Sequence, residues 1–256
     1  MIERTLYYQA GFFSPDAYLE ATPEIIRRLL EAFDYKDFIP TTVPEIVIGS
    51  PQQGLMAVGP FSPKMRINVT TPNQEWTLAF QPDRVSLKKM EVIGGAIGEP
   101  EDFQNDAIEM FARLEKAKVF SFSGSRLTYN TRGLLPEMKD EQLTKVNTRI
   151  LRLPSFYQEH PPCEWATRNV AHFDLKFGPK TECCNVITDI NRVQGRSSID
   201  GGEAKLVDRI ETRFEINTHQ DRQEIRFCHN DISTFLESAI KICNKLSHQS
   251  EKVLYG

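Results

Sequence analysis

Three short segments of alternating apolar and polar residues constrain the fold of this chain more than any other feature. Their apolar positions are Met65, Ile67 and Val69; Trp76, Leu78 and Phe80; Val85 and Leu87. Such alternation is typical of β-strands that bury one face. The separators Pro72-Asn73 and Pro82-Asp83 are shorter than the crossover that parallel strands require. The sequence therefore predicts an antiparallel meander.

The second half of the chain repeats this alternation. The apolar faces there are Phe173, Leu175 and Phe177; Cys184, Val186 and Ile190; Ile210, Thr212, Phe214 and Ile216. Asp200-Gly201-Gly202 precedes the last of these strands, and its glycines suit a hairpin connection. Three further antiparallel strands are predicted.

Three segments have apolar residues at helical spacing. The first follows the N-cap Thr22 and Pro23, the second begins at Pro100, and the third is capped by Asn230 or Asp231. The apolar stripes are Ile25, Ile26, Leu29, Leu30 and Phe33; Phe103, Ala107, Met110, Phe111 and Leu114; Ile232, Phe235, Leu236, Ala239, Cys243 and Leu246. Their spacing predicts amphipathic helices.

These elements predict an α+β fold of antiparallel sheets with helices packed on one face. Each half reads as β-β-β-α, so the two halves are predicted to be similar. We expect an N-terminal half at 1–136, a connector at 137–162 and a C-terminal half at 163–256, which are compatible with one compact unit. Pro40 and Pro44 are predicted to open a loop. A change of apolar parity across Gly124 predicts a bulge or hairpin turn there.

Composition limits the classes of function. The chain has 256 residues, with 31 Lys and Arg against 35 Asp and Glu, a net charge of −4. This balance disfavours nucleic-acid binding over the whole surface but permits a local basic patch. Five irregularly spaced cysteines do not resemble a disulfide framework. Without a signal peptide or an apolar run of about 18 residues, we expect a cytoplasmic protein with no membrane contact.

The common signatures of cofactor and metal sites are weak. The loop from Gly94 to Gly98 precedes a helix, as phosphate-binding loops do, but Glu99 and Asp102 would repel a phosphate there. No C-x-x-C or H-E-x-x-H motif occurs, and the adjacent Cys183 and Cys184 would face opposite sides of a strand. We therefore expect no metal and no cofactor.

Four groups of residues are candidates for chemistry or binding. They are Cys228, His229 and Asp231 for nucleophilic catalysis; His172 and Asp174 for an acid–base pair; Lys88, Lys89, Arg126 and Arg132 for nucleic acid; and Tyr7, Tyr8, Phe12 and Phe13 for a protein partner. Three of these groups have an ordinary structural alternative. The first group caps a helix, the second lies on a solvated sheet face, and the aromatic residues pack in the core.

Six segments, taken in order, also carry a family resemblance. They are Val43-Pro-Glu-Ile-Val47; Trp76-Thr-Leu-Ala-Phe-Gln-Pro-Asp-Arg-Val-Ser-Leu87; Arg126-Leu-Thr-Tyr-Asn130; Arg213-Phe-Glu-Ile-Asn-Thr218; Arg226-Phe; and Asp231-Ile-Ser-Thr-Phe235. This order resembles a sporadically distributed family of uncharacterised bacterial proteins. The resemblance implies a defence, antitoxin or immunity context and supplies no catalytic residues.

The leading functional expectation is a non-enzymatic, protein-binding accessory component, antitoxin-, immunity- or chaperone-like, of a bacterial defence system. Two alternatives stay open. One is an enzyme with a dispersed site that acts on nucleotides or nucleic acid, and the other is a nucleic-acid-binding module of a defence complex. A protein partner is expected in the leading case, and a homo-oligomer is compatible with all three.

Overall fold

The computed structural model describes residues 2–45, 64–92, 95–151, 154–178, 180–197 and 205–255. The strands are β1 (Arg4–Phe13), β2 (Ile39–Glu45), β3 (Lys64–Thr70), β4 (Trp76–Gln81), β5 (Arg84–Met90), β6 (Arg126–Leu134), β7 (Trp165–Phe177), β8 (Lys180–Ser197) and β9 (Lys205–Thr218). The helices are α1 (Pro23–Ala32), α2 (Pro100–Ala117), α3 (Asp140–Ile150), α4 (Ser155–Glu159) and α5 (His229–Tyr255).

The described strands form one antiparallel sheet in the order β2-β3-β4-β5-β1-β6-β9-β8-β7. The predicted meander is present, with Leu78 opposite both Val69 and Leu87. The α+β class is confirmed. The predicted N-terminal and C-terminal ranges contribute to a single sheet because β6 pairs with β9. The predicted turn at Asp200-Gly201-Gly202 lies outside the described residues.

The core is rich in aromatic residues and joins the sheet to three helices. Phe103 of α2 is fully buried, and its ring centroid lies 5.5 Å from that of Tyr8, 5.8 Å from Trp76 and 6.1 Å from Tyr129. Helices α1, α2 and α5 contribute residues to the same buried cluster. The apolar stripe predicted for α2 is buried in full.

The starts of α1 and α2 follow the predicted chemistry, whereas α5 begins at His229, ahead of the predicted caps Asn230 and Asp231. Thr22 Oγ1 accepts a hydrogen bond from the Ile25 N–H at 3.3 Å, which caps α1. Glu99 caps α2, and Asp102 accepts a hydrogen bond from the Glu99 N–H at 3.2 Å. These carboxylates already occupy the positive end of the α2 dipole, so this loop is unsuited to phosphate.

Two local predictions were wrong. Pro40 and Pro44 lie within β2, which is an edge strand. Proline is tolerated at an edge because an N–H that faces solvent makes no hydrogen bond to a neighbouring strand. Gly124 forms neither a bulge nor a hairpin turn but a bridge to Phe227, ahead of β6. A Cβ on Gly124 would lie 2.5 Å from Phe12 Cζ, so only glycine fits there.

The described residues of the predicted connector, 137–151 and 154–162, include two helices. These are α3 and α4, and α3 packs in a second, smaller cluster with residues of β8, β9 and α5. Leu143 of α3 is fully buried in that cluster. Nowhere in the described ranges is a helix sufficiently long and apolar to cross a bilayer.

Candidate functional site

Alternate positions of six neighbouring strands point away from the main core, and most of them are polar. We call this set the polar face. Its members are Gln9, Gly11 and Phe13; Arg84, Ser86 and Lys88; Arg126, Thr128, Asn130 and Arg132; Glu211, Arg213, Glu215 and Asn217; Asn185, Ile187 and Asp189; Arg168, Val170 and His172. Their core-facing neighbours, such as Ala10, Leu127 and Ile216, are buried.

A cavity of about 620 Å³ lies over the polar face. Its lining comes from β1, β5, β6, β7, β8 and β9, and the loop after β9 adds His219, Gln220 and Asp221 at one end. Four arginines and two carboxylates are among the lining residues, so the cavity carries an excess of positive charge, in contrast to the chain as a whole.

Two arginines share one aromatic ring at the end of this cavity. Phe13 is directly opposite Arg84 on β5 and Arg126 on β6. The Arg126 guanidinium carbon lies 3.5 Å from the centroid of the Phe13 ring, and that of Arg84 lies 5.2 Å from it. Both distances are within cation–π range.

These two cations lack acidic partners. Among the described residues neither forms an ion pair, although Arg84 donates a hydrogen bond to Gln81 Oε1 at 2.7 Å. Arg126 Nε is buried and has no hydrogen-bond acceptor. Burial, with the Arg84 cation as the next cause, lowers the pKa of Arg126 below its ordinary value. An anion placed between the two guanidinium groups would satisfy both.

The next row of the polar face is uncharged. It crosses the sheet through Ser86, Gly11, Thr128, Asn217 and Asn185. Asn185 donates to Asn217 Oδ1 at 3.0 Å. A Cβ on Gly11 would lie 2.5 Å from Thr128 Oγ1, so glycine keeps the two strands close and leaves the cavity floor open. In this row the Thr128 hydroxyl and the Asn185 amide belong to partly exposed side chains, whereas Ser86 and Asn217 are buried.

A further set of cations lies deeper along the strands. Arg132 pairs with Glu211, and Arg168 pairs with Asp189 at 3.0 Å. Lys88 Nζ lies 4.4 Å from the centroid of the Tyr7 ring and forms no ion pair with a described residue. Burial, with Arg132 as the second cause, lowers the pKa of Lys88. The polar face thus has basic groups on both sides of its uncharged row.

The four residues predicted for nucleic acid are divided by the sheet. Lys88, Arg126 and Arg132 lie on the polar face. Lys89 does not, because it points to the core side, where it is buried and lies 3.5 Å from Glu75. Sequence reasoning missed Arg84 and Arg168, and the parity of their buried neighbours was the signal that could have found them.

The four aromatic residues are divided in the same way. Tyr8 and Phe12 belong to the buried core, which contradicts their predicted role in an exposed patch. Tyr7 and Phe13 point to the polar face, where Lys88 and the two arginines cover their rings. The segment lacks alternation because β1, in the middle of the sheet, carries aromatic residues on both faces.

The predicted acid–base pair is separated within the site. His172 lines the cavity, and its ring centroid lies 5.9 Å from that of His219. His219 Nδ1 lies 3.6 Å from Asp221. Asp174 shares the strand face of His172 but does not line the cavity.

Cys228, His229 and Asp231 lie at the start of α5, away from the cavity lining. His229 Nδ1 lies 3.2 Å from Glu115 Oε2, and its ring packs on Phe122. Asp231 accepts a hydrogen bond from the Cys228 N–H at 2.8 Å. These contacts give the group a capping role, and they do not join the thiol to the imidazole.

The cysteines differ in burial, and this predicts their reactivity. Burial raises the pKa of the Cys184 thiol to about 12, and Cys243 is also buried with a raised pKa. Cys163 and Cys228 are exposed. With a chromogenic disulfide reagent at pH 8, we expect Cys163 and Cys228 to react rapidly in the native protein. The reagent can reach their exposed sulfur atoms, and the thiolate is the form that attacks it. Cys184 and Cys243 should react only on unfolding.

A Cys163→Ser/Cys228→Ser variant provides the control for this measurement. It should lose the rapid phase and keep the thiols released by denaturant. A rapid phase of unchanged size in this variant would contradict the assigned burial.

Comparison with known proteins finds no matching family model and no matching curated protein. In the described part of the chain, no group of three or more His, Cys, Asp or Glu side chains is arranged to hold a metal ion. The function of the polar face therefore follows from the positions and charges of its own residues.

Proposed function

We propose that this chain is a nucleic-acid-binding protein that holds a duplex on its polar face. The observation that carries the proposal is the pair Arg84 and Arg126, which flank Phe13 without carboxylate partners. Guanidinium groups form charge-assisted hydrogen bonds with phosphate oxygens, and they keep their charge even when partly buried.

The spacing of charged and uncharged rows fits a nucleic acid better than a small anion. On β6, Arg126 and Arg132 are six residues apart, which corresponds to about 20 Å along the strand. Between them lies Thr128, which is partly exposed, and hydroxyl side chains of this kind contact sugars and base edges. Two basic rows would contact phosphates, and the uncharged row between them would contact groove edges.

A duplex is favoured over a single strand by the state of the aromatic residues. Proteins that bind single strands stack bases on exposed rings. On the polar face the Phe13 ring is 8% exposed and is covered by guanidinium groups. The face therefore offers hydrogen-bonding groups and few surfaces for base stacking.

The proposal includes a finer reading of the architecture. Helices α1, α2 and α5 would cover the core side of the sheet and leave the polar face to the ligand, which is supported by their shared buried cluster. The halves would be two similar units that meet at the β1–β6 pair. The strand order β3-β4-β5-β1 followed by β6-β9-β8-β7 supports this symmetry. The unit boundary would then fall between α2 and β6, earlier than residue 136.

Fluorescence anisotropy with labelled duplex DNA, duplex RNA and single strands tests the proposal. At 50 mM salt we expect micromolar binding of a duplex, with an affinity that falls as salt is raised. Arg84→Ala/Arg126→Ala should weaken binding by about tenfold or more and reduce the salt slope by about 2, because two phosphate contacts are lost.

The matched control removes two cations from helix surfaces. Arg27 of α1 and Lys241 of α5 are exposed and paired with Glu31 and Glu237. Arg27→Ala/Lys241→Ala changes net charge by the same amount and should leave affinity unchanged. Absence of binding to every nucleic acid at low salt, or equal losses in both double variants, would refute the proposal. Preference for a single strand would refute its duplex form.

The protein-binding function expected from the sequence has less support at its predicted site, because three of its four aromatic residues are buried. The enzymatic alternative has His172 and His219 in the cavity, but the described residues contain no cluster arranged to hold a metal ion. The basic groups of the polar face therefore support nucleic-acid binding over both of these alternatives.

A further inference from the structure

The last strand of the sheet, β7, has a long edge that no described strand covers. It contains 13 residues and pairs with β8 without a shift of register from Trp165 to Phe177. No bulge twists it away from a neighbour. An edge of this kind presents free backbone N–H and C=O groups in a regular row, which is a template for another strand.

The opposite edge of the sheet is protected. Strand β2 has seven residues, and two of them are Pro40 and Pro44. Proline cannot donate a ladder hydrogen bond, so prolines discourage the addition of a strand to an edge. Strand β7 is almost twice as long and contains no proline. The two edges are therefore built differently, and β7 is the one able to accept a partner.

We infer that two copies of this chain pair through β7, antiparallel and about a two-fold axis at Ala171. Ala171 is the middle residue of the strand, so this register pairs Trp165–Phe177 over its whole length. It places Arg168 opposite Asp174 of the second copy, and the two-fold axis repeats this ion pair. Asp174 forms no ion pair with a described residue, so it is available for this contact.

Charge favours this register over its neighbours. An antiparallel register changes in steps of two residues when hydrogen-bonding groups are to remain opposite one another. One step in one direction places Arg168 opposite Lys176, which is repulsive. One step in the other places Arg168 opposite His172 and leaves Asp174 opposite Ala166. Only the central register of these three pairs Arg168 with a carboxylate.

The same register covers apolar surface on both sides of the strand. Val170 is 54% exposed and Phe173 is 45% exposed, although Phe173 was predicted to be buried. In the dimer Val170 would lie opposite His172 of the second copy, and Phe173 would lie opposite Asn169. The two polar faces would then join across one continuous sheet. This inference does not depend on the proposed ligand.

Sedimentation velocity of the full chain without nucleic acid tests the inference. The wild-type protein should shift from monomer to dimer with increasing concentration. Asp174→Arg would place two arginines opposite each other, and Arg168→Asp would place two aspartates opposite each other. Each variant alone should dimerise about tenfold or more weakly than wild type.

Mixing the two variants is the decisive arm. In a heterodimer both pairs are again Arg opposite Asp, so an equimolar mixture should recover the wild-type dimer. Lys176→Glu is the matched control, because residue 176 lies opposite Ala166 and its charge should not affect dimerisation. A wild-type chain that stays monomeric at about 100 µM, a concentration about a hundredfold above a micromolar Kd, would overturn the inference. So would a mixture that dimerises no better than its components while circular dichroism shows both folded.

Discussion

Phe103→Ala is expected to lower the free energy of unfolding by about 3–5 kcal/mol. Phe103 is fully buried where α2 meets the sheet, and its ring contacts those of Tyr8, Trp76 and Tyr129 from β1, β4 and β6. Alanine would leave a cavity among rings held by three strands, which restricts collapse of the site. Urea unfolding followed by circular dichroism and tryptophan fluorescence measures the loss.

The control for this prediction is the same substitution on the surface. Phe156 of α4 is 63% exposed. Phe156→Ala should change the free energy of unfolding by no more than about 0.5 kcal/mol. A Phe103→Ala variant that is as stable as Phe156→Ala would show that α2 does not pack on the sheet as described.

The elements that the sequence predicted correctly were those whose apolar residues recur with one clear period. Strand β4 buries alternate residues, β3 buries Ile67 and Val69 on one face, and α2 buries a single stripe. Strand β1 was missed because a central strand with rings on both faces has no alternation. Strand β2 was missed because its two prolines are tolerated only at an edge, and edge position is a property of the assembled sheet.

The candidate site was predictable only in fragments. Lys88, Arg126 and Arg132 were identified by charge, but charge alone also selected Lys89, which points to the core. The pairing of Arg84 with Arg126 depends on β1 lying between β5 and β6, and these strands are distant in sequence. Strand order is decided by which edges meet during folding, so no local pattern could reveal this row.

The loop that closes one end of the cavity depends on one buried ion pair, and this gives the second large effect. Arg226 and Glu182 are 8% and 7% exposed and lie 3.2 Å apart, and Arg226 also donates to the carbonyl oxygens of His219 and Arg222. Arg226→Met should cost about 3–5 kcal/mol because it leaves the Glu182 carboxylate buried without its main partner. It should also weaken duplex binding, since the His219 carbonyl oxygen loses the hydrogen bond that Arg226 donates to it.

Arg222 provides a matched comparison, because it approaches the same Glu182 oxygen from solvent. It is 53% exposed and lies 3.6 Å from that oxygen. Arg222→Met should therefore cost at most about 1 kcal/mol. In Glu182→Met/Arg226→Met both charges are absent, so much of the stability lost in Arg226→Met should return. If urea unfolding shows equal losses for Arg226→Met and Arg222→Met, burial of the pair does not hold the loop, and the cavity must be closed by other contacts.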